Sequence, residues 1–208
     1  MNTTVDTMTT EQFWTIVATL GWGMKADTTS IKLALMRQLT PAQAEAFDAR
    51  FCALRAALDK KIAKAVDCLG DDSYTDLCAH IIGLGEAEYT ATLARPSKAR
   101  ARAAAGNFAE SFAYVIPNDR DYLMTSPAYW AAKVSEIVKD YRLSVAAGEV
   151  PGAETDIIIA ALNKLGAGDV AGFLGDKDAV LVAAKHARSN VYLMSNVYSD
   201  VSTFLGAA

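Results

Sequence analysis

Gly70-Asp71-Asp72-Ser73-Tyr74, followed by an apolar stretch that ends at Ile81-Ile82-Gly83-Leu84-Gly85, is the part of the chain that decides the fold. Glycine is typical of the end of a helix, and short polar side chains are typical of a helix start. The segment therefore predicts that one helix ends at Gly70 and that Asp71, Asp72 or Ser73 caps the next. The predicted buried face of that second helix consists of Tyr74, Leu77, Cys78, Ile81 and Ile82.

Clear helix signals also precede this segment. Thr40-Pro41-Ala42-Gln43 predicts a start in which threonine caps, proline takes the first turn and glutamine bonds back to the cap. Thr9 with Gln12 predicts a second capping box, and Asp27 predicts a further N-cap. The chain is rich in alanine and has only five prolines to interrupt its helices. We therefore predict an all-α fold, a multi-helix bundle of about eight or nine helices.

Two short apolar segments leave an alternative open in the C-terminal half. Ile157-Ile158-Ile159 and Val180-Leu181-Val182 have the β-branched content that a buried strand also favours. We rank helix first because alanine flanks both segments and no hairpin signal joins them.

The polar connection from Pro117 to Met124 marks the predicted domain boundary. We predict one helical unit over residues 9–116 and a C-terminal helical region over residues 117–208, packed on the first as one globule.

Charge and hydropathy exclude several classes of protein. The 208 residues carry a formal net charge of −4, which argues against general binding to nucleic acid or to an anionic membrane. The longest apolar runs have about six residues, whereas a membrane-spanning helix needs roughly 20. The three cysteines Cys52, Cys68 and Cys78 form no Cys-x-x-Cys pair. We therefore expect a cytoplasmic protein with reduced thiols and no membrane association.

Several short motifs occur in an order that points to a known family. They are Glu11-Gln12-Phe13-Trp14, Leu39-Thr40-Pro41 with Phe47 and Phe51, Asp71-Asp72-Ser73-Tyr74, Ile81-Ile82 with Gly85, and then Tyr89, Leu93 and Pro96. From about Thr9 to Ala105 the chain resembles the bacterial domain of unknown function four-two-four-zero. That family has no established activity, so the resemblance implies an architecture and not a mechanism.

Asp71, Asp72, Asp76 and His80 form the candidate polar site. Converging carboxylates could hold a divalent cation or perform acid–base chemistry. Asp76 and His80 share a helix face at a spacing of four, so the carboxylate could orient the imidazole as in half of a nucleophilic triad. Helix capping by the aspartates and a histidine at a surface or interface are the favoured interpretations. Because the histidines and cysteines lack the usual ligand intervals, we predict no metal and no cofactor.

Arg95, Lys98, Arg100 and Arg102 form the candidate basic patch. The run could bind a phosphate or an acidic partner. Alternation by two spreads these side chains around a helix, however, so a solvated surface is the favoured interpretation.

Trp22 lies between Gly21 and Gly23. We expect it to be partly exposed and take it as the candidate interface residue, because exposed tryptophan often anchors interfaces.

These observations lead to three functional hypotheses. The first is a non-catalytic binding or accessory protein that uses helical faces to engage an unknown protein partner or a second copy of itself. The second is an enzyme or ion-dependent module centred on Asp71, Asp72, Asp76 and His80. The third is a nucleic-acid-associated regulator that uses residues Arg95 to Arg102. We favour the first, and lean against an enzyme, because the sequence shows no catalytic constellation.

Overall fold

The computed structural model describes residues 8–66, 69–106, 108–109, 112–187 and 191–206, without the side chain of Asp71. It is 79% helical, and no strand occurs in these ranges, so the all-α prediction is confirmed. The described α-helices are α1 Thr10–Thr19, α2 Thr28–Gln38, α3 Pro41–Ile62, α4 Asp71–Gly83, α5 Glu86–Ala94, α6 Ser97–Ala104, α7 Asp119–Met124, α8 Pro127–Ala146, α9 Gly152–Gly166, α10 Val170–Gly175, α11 Lys177–His186 and α12 Val191–Phe204. Short 3₁₀ turns occupy Ala63–Ala65 and Phe112–Val115.

The described helices number twelve, of which ten have seven or more residues. This exceeds the expected eight or nine partly because α7 is a short helix in the segment that we predicted as a connection. Ile157–Ile159 lies inside α9 and Val180–Val182 inside α11, so both β-branched segments are helical.

Three predicted helix starts are confirmed by the hydrogen bonds of their caps. Thr9 and Thr40 each form a complete capping box, with Gln12 and Gln43 respectively. The Asp27 carboxylate accepts hydrogen bonds from the backbone N–H groups of Thr29 and Ser30, and its pKa lies below the usual value because Ser30 donates to it.

The predicted cap of α4 needs correction. Gly70 is the N-cap and makes no side-chain cap hydrogen bond, so Asp71, Asp72 and Ser73 already belong to the first turn of the helix. Carboxylates at this end remain favourable because they face the positive end of the helix dipole.

The chain divides into two compact units, Met1–Asp119 and Arg120–Ala208, called unit 1 and unit 2 below. The predicted packing of the two into one globule stays a prediction. The core of unit 1 is rich in aromatic rings, as the 4.5 Å separation of the Phe13 and Phe47 ring centroids illustrates. The core of unit 2 is mainly aliphatic and includes a stacked Phe173–Tyr198 pair with centroids 4.2 Å apart. Within the described ranges, none of the helices combines the length and hydropathy of a membrane span.

Candidate functional site

His80 is the chemically most distinctive residue of unit 1. It lies near the C-terminal end of α4 and is only 1% exposed. Its Nδ1 atom accepts a hydrogen bond from the indole Nε1–H of Trp22 at 3.1 Å and another from the backbone N–H of Ala109 at 3.2 Å. One imidazole therefore joins three segments that are far apart in the sequence.

These two contacts determine the tautomer of His80. An indole N–H and a backbone N–H can only donate, so Nδ1 must be the nitrogen without a proton. In the neutral ring the proton then resides on Nε2, which is buried and has no hydrogen-bond partner among the described residues. Burial and, after it, the nearby Arg102 cation together lower the pKa of His80 to about 4, although Glu88 opposes the change. His80 is therefore neutral near pH 7, and its only lone pair is occupied.

The expected exposure of Trp22 is wrong. The side chain is only 9% exposed, because its indole lies between His80 and the Phe112 ring, whose centroid is 5.1 Å away. Gly83 makes this position possible, since a Cβ atom there would lie 2.5 Å from Cδ1 of Trp22. The glycines that flank Trp22 in the sequence did not indicate this burial, because the residues that bury the ring, such as Gly83 on α4, are distant in the sequence.

Neither Asp72 nor Asp76 of the candidate polar site hydrogen-bonds to His80. Asp72 is exposed and Asp76 is half-buried. Asp76 does not orient the imidazole, because Nδ1 of His80 accepts from Trp22 and Ala109 and Nε2 is without a partner. The side chain of Asp71 lies outside the described residues. Across the part of the chain that the structure describes, no group of three histidine, cysteine or acidic side chains is placed to hold a metal ion.

The candidate basic patch separates into two pairs. Arg95 and Arg100 are exposed, whereas Lys98 and Arg102 both bind the carboxylate of Glu88, each at 3.0 Å. Burial by itself would raise the pKa of Glu88, but the hydrogen bonds from the two cations outweigh it and lower the pKa. Two of the four cations therefore share one carboxylate on α5, which offsets one of their two positive charges.

The family comparison covers the same part of the chain as unit 1. A family model described as "Protein of unknown function (DUF4240)" matches residues 8–119, more than half of the chain. The chain belongs to the DUF4240 family. The match confirms the resemblance noted in the sequence, and it ends at the last residue of unit 1. No curated protein and no solved structure matches the chain significantly.

Aromatic residues of the motifs that carry the DUF4240 resemblance make contacts between the helices of unit 1. The Trp14 ring contacts Tyr89 with centroids 5.2 Å apart, and the Tyr89 hydroxyl donates to the carbonyl oxygen of Leu54 at 3.1 Å. The Tyr74 hydroxyl donates to Oδ1 of Asp59 at 2.7 Å and so ties α4 to α3. The motifs therefore contain residues that contact one another between different helices.

Sequence reasoning missed a groove of about 370 Å³ between α3 and α4. It is lined by Cys52, Arg55, Ala56, Asp59, Tyr74, Thr75 and Cys78. Burial raises the pKa of Cys78 to about 12, and the nearby Asp59 carboxylate contributes, so its thiol is a poor nucleophile at neutral pH. In the sequence, only Tyr74 of the Asp71-Asp72-Ser73-Tyr74 motif drew attention to this part of the chain. Its partner, Asp59, lies 15 residues earlier on α3, so the sequence did not show the groove.

Proposed function

We propose that this DUF4240 protein is a non-catalytic binding or accessory protein that acts through protein–protein contacts of its helical surfaces. A cytoplasmic location, expected from the sequence, is part of the proposal, and the free thiols of Cys52 and Cys78 agree with it. The partner is either another protein or a second copy of the chain.

The observation that carries the proposal is the distribution of exposed large apolar side chains. Met24 and Tyr114 are the two in unit 1 among the described residues. The other six belong to unit 2: Leu123, Leu143, Ile157, Val182, Val191 and Tyr192. Single exposed apolar residues are ordinary, whereas a contiguous exposed apolar patch marks an interaction site. The proposal is that several of these six side chains of unit 2 belong to such a patch.

The state of His80 favours binding over the catalytic alternative. A general base needs an available lone pair and a pKa near the working pH. His80 has its lone pair occupied by Trp22 and Ala109, and its pKa is about 4. The ion pairs of Lys98 and Arg102 with Glu88, in a chain of net charge −4, likewise weaken the nucleic-acid alternative.

The test compares the intact chain with two surface variants. One variant carries Leu143→Ser, Val182→Ser and Tyr192→Ser in unit 2, and the control carries Met24→Ser and Tyr114→Ser in unit 1. Light scattering over a range of concentrations measures self-association, and quantitative affinity capture from the source cells measures partner binding. We expect an assembly or a stoichiometric partner that the unit 2 variant loses and the control keeps. A monomer without partners, or binding that neither variant changes, would refute the proposal.

A further inference from the structure

A groove of about 540 Å³ runs along α8 in unit 2, beside the C-terminal end of α9. Its lining comprises Ala131, Val134, Ser135, Val138, Lys139, Arg142, Leu143, Asn163 and Gly166. Val134 and Val138 are 4% and 7% exposed and form an apolar floor, whereas Leu143 on the rim is 59% exposed. Gly166 keeps the two helices close, since a Cβ atom at this position would lie 3.3 Å from Cγ1 of Val134.

The charges of this groove have one sign. Lys139 and Arg142 are its charged lining residues, and the lining contains no carboxylate. Both side chains are exposed, and neither has an ion-pair partner among the described residues. Among the other lysines of unit 2, Lys133 pairs with Glu136 at 2.8 Å and Lys164 with Asp176 at 2.7 Å. What sets Lys139 and Arg142 apart is their position: they are two exposed cations beside an apolar floor, and in a chain of net charge −4 they give this groove a local positive charge.

The dimensions of the groove suit a helix. Its α8 lining extends from Ala131 to Leu143. At 1.5 Å per residue this corresponds to roughly 18 Å, or about three turns of a partner helix. An amphipathic helix in such a groove places apolar side chains at i, i+3 or i+4, and i+7 on the floor, with its polar flank at the rim.

We infer that the α8 groove binds an amphipathic helix of a partner protein whose apolar anchors are flanked by carboxylates. The inference rests on the proposed binding function and specifies the chemistry of the partner. The valine floor and Leu143 receive the anchors, and Lys139 and Arg142 receive the carboxylates. Because exposed charges are screened by salt, the attraction weakens as the ionic strength rises.

The probe is a fluorescein-labelled peptide of about 18 residues with leucine at the anchor positions, glutamate at four flanking positions and alanine elsewhere, a composition and length that let it sample helix in water. A second peptide carries lysine in place of every glutamate. Fluorescence anisotropy with the full chain should show binding of the acidic peptide at least about tenfold tighter than of the basic one, with the difference shrinking at about 0.5 M salt. No binding of the acidic peptide, or equal binding of both, overturns the inference.

Charge reversal locates the site. The variant Lys139→Glu with Arg142→Glu should bind the acidic peptide about tenfold more weakly and prefer the basic one. The control Lys177→Glu with Lys185→Glu makes the same change in net charge on α11 and should leave the preference unchanged. A structural defect would weaken the binding of both peptides. The predicted reversal of the preference, from the acidic to the basic peptide, requires contact between charges in the groove. Equal effects of the two variants overturn the inference.

Self-association gives a further outcome. If light scattering shows a dimer that Lys139→Glu with Arg142→Glu dissolves, the occupant is a second copy and the assignment to a partner helix is overturned, while the proposed binding function stands. If the acidic peptide does not bind but the variant with Leu143→Ser, Val182→Ser and Tyr192→Ser still loses a natural partner, the groove inference is refuted and the proposed binding function stands. Loss of every interaction in both experiments removes the proposed function itself.

Discussion

Unit 1 and unit 2 are both helical, but the hydrogen bonds of the buried polar side chains differ inside each unit. In unit 1, buried or half-buried side chains form hydrogen bonds across long stretches of sequence: Trp22 to His80 over 58 residues, Arg50 to the carbonyl of Met8 over 42, and Tyr89 to Leu54 over 35. In unit 2, the buried Trp130 donates to the carbonyl of Met124 only six residues away, and the buried hydroxyl of Tyr198 has no hydrogen-bond partner.

The family model covers the unit whose core contains these long-range aromatic hydrogen bonds. Aromatic residues that must both pack and donate a hydrogen bond tolerate few replacements. An aliphatic core such as that of unit 2 accepts many volume-conserving exchanges. Three paired substitutions test this comparison.

The largest effect is expected for Gly83→Ala. A Cβ atom at residue 83 would lie 2.5 Å from Trp22 Cδ1 and 2.6 Å from Phe112 Cδ2, and both rings are buried and cannot withdraw. We expect the variant to lower the free energy of unfolding by about 3 kcal/mol. Urea unfolding in a Trp130→Phe background reports unit 1 through the fluorescence of Trp14 and Trp22.

Gly166→Ala is the matched change in unit 2. The corresponding Cβ contact, with Cγ1 of Val134, is 3.3 Å, and the added helix propensity of alanine offsets the crowding. We expect Gly166→Ala to change the free energy of unfolding by less than about 1 kcal/mol. Urea unfolding followed by circular dichroism, in the chain that keeps Trp130, measures this change. Equal destabilisation by the two alanines would contradict the asymmetry between the units.

The second effect concerns pH. The pKa of His80 is lowered from its ordinary 6.5 to about 4 by burial. As the pH falls below 6.5, the unfolded chain takes up a proton that native His80 refuses, so stability is lost between pH 6.5 and about 4. Between pH 8 and pH 5 this loss amounts to about 2 kcal/mol. Urea unfolding at several pH values in this range measures it.

His186, exposed at the end of α11, provides the control in unit 2. His80→Gln should remove most of the pH dependence between pH 8 and pH 5, whatever it does to the stability at pH 8, whereas His186→Gln should leave the slope intact. An unchanged slope in the His80→Gln variant would mean that His80 titrates alike in the folded and unfolded chain.

The smallest effect distinguishes two buried tyrosines. Tyr89→Phe removes a hydrogen bond to the Leu54 carbonyl and should cost about 1 kcal/mol. Tyr198→Phe removes a buried hydroxyl that has no partner, while the ring stays stacked on Phe173. The second variant should be as stable as the natural chain or more stable by up to about 1 kcal/mol. Thermal unfolding of the two variants compares them directly, and a greater loss in Tyr198→Phe would contradict the comparison.

The sequence predicted those features that depend on neighbouring residues. The capping boxes at Thr9 and Thr40 involve a partner three residues away, and both are confirmed. Helical periodicity likewise placed Leu77, Ile81 and Ile82 in the core. The predicted caps of α4, Asp71, Asp72 or Ser73, lie one to three positions after the observed N-cap Gly70, because glycine is also accepted at the N-cap.

The candidate site could not be predicted in the same way. The spacing of Asp76 and His80 suggested a local pair, but the imidazole binds a tryptophan from before α2 and a backbone N–H from after α6. Trp22 looked exposed for the same reason, since the residues that bury it, Gly83 and Phe112, are distant in the chain. Tertiary contacts of this kind leave no periodic signal.

The protonation state of His80 tests the central claim most directly, namely that the most reactive-looking side chain of the DUF4240 unit is a neutral hydrogen-bond acceptor of the core. NMR of the chain with ¹⁵N-labelled histidine, assigned with His186→Gln, reports the tautomer and the titration of each ring. We predict an Nε2–H tautomer for His80 that persists from pH 8 to below pH 5. A proton on Nδ1, or titration near the ordinary pKa of 6.5, would contradict the account and return His80 to the list of candidate catalytic groups.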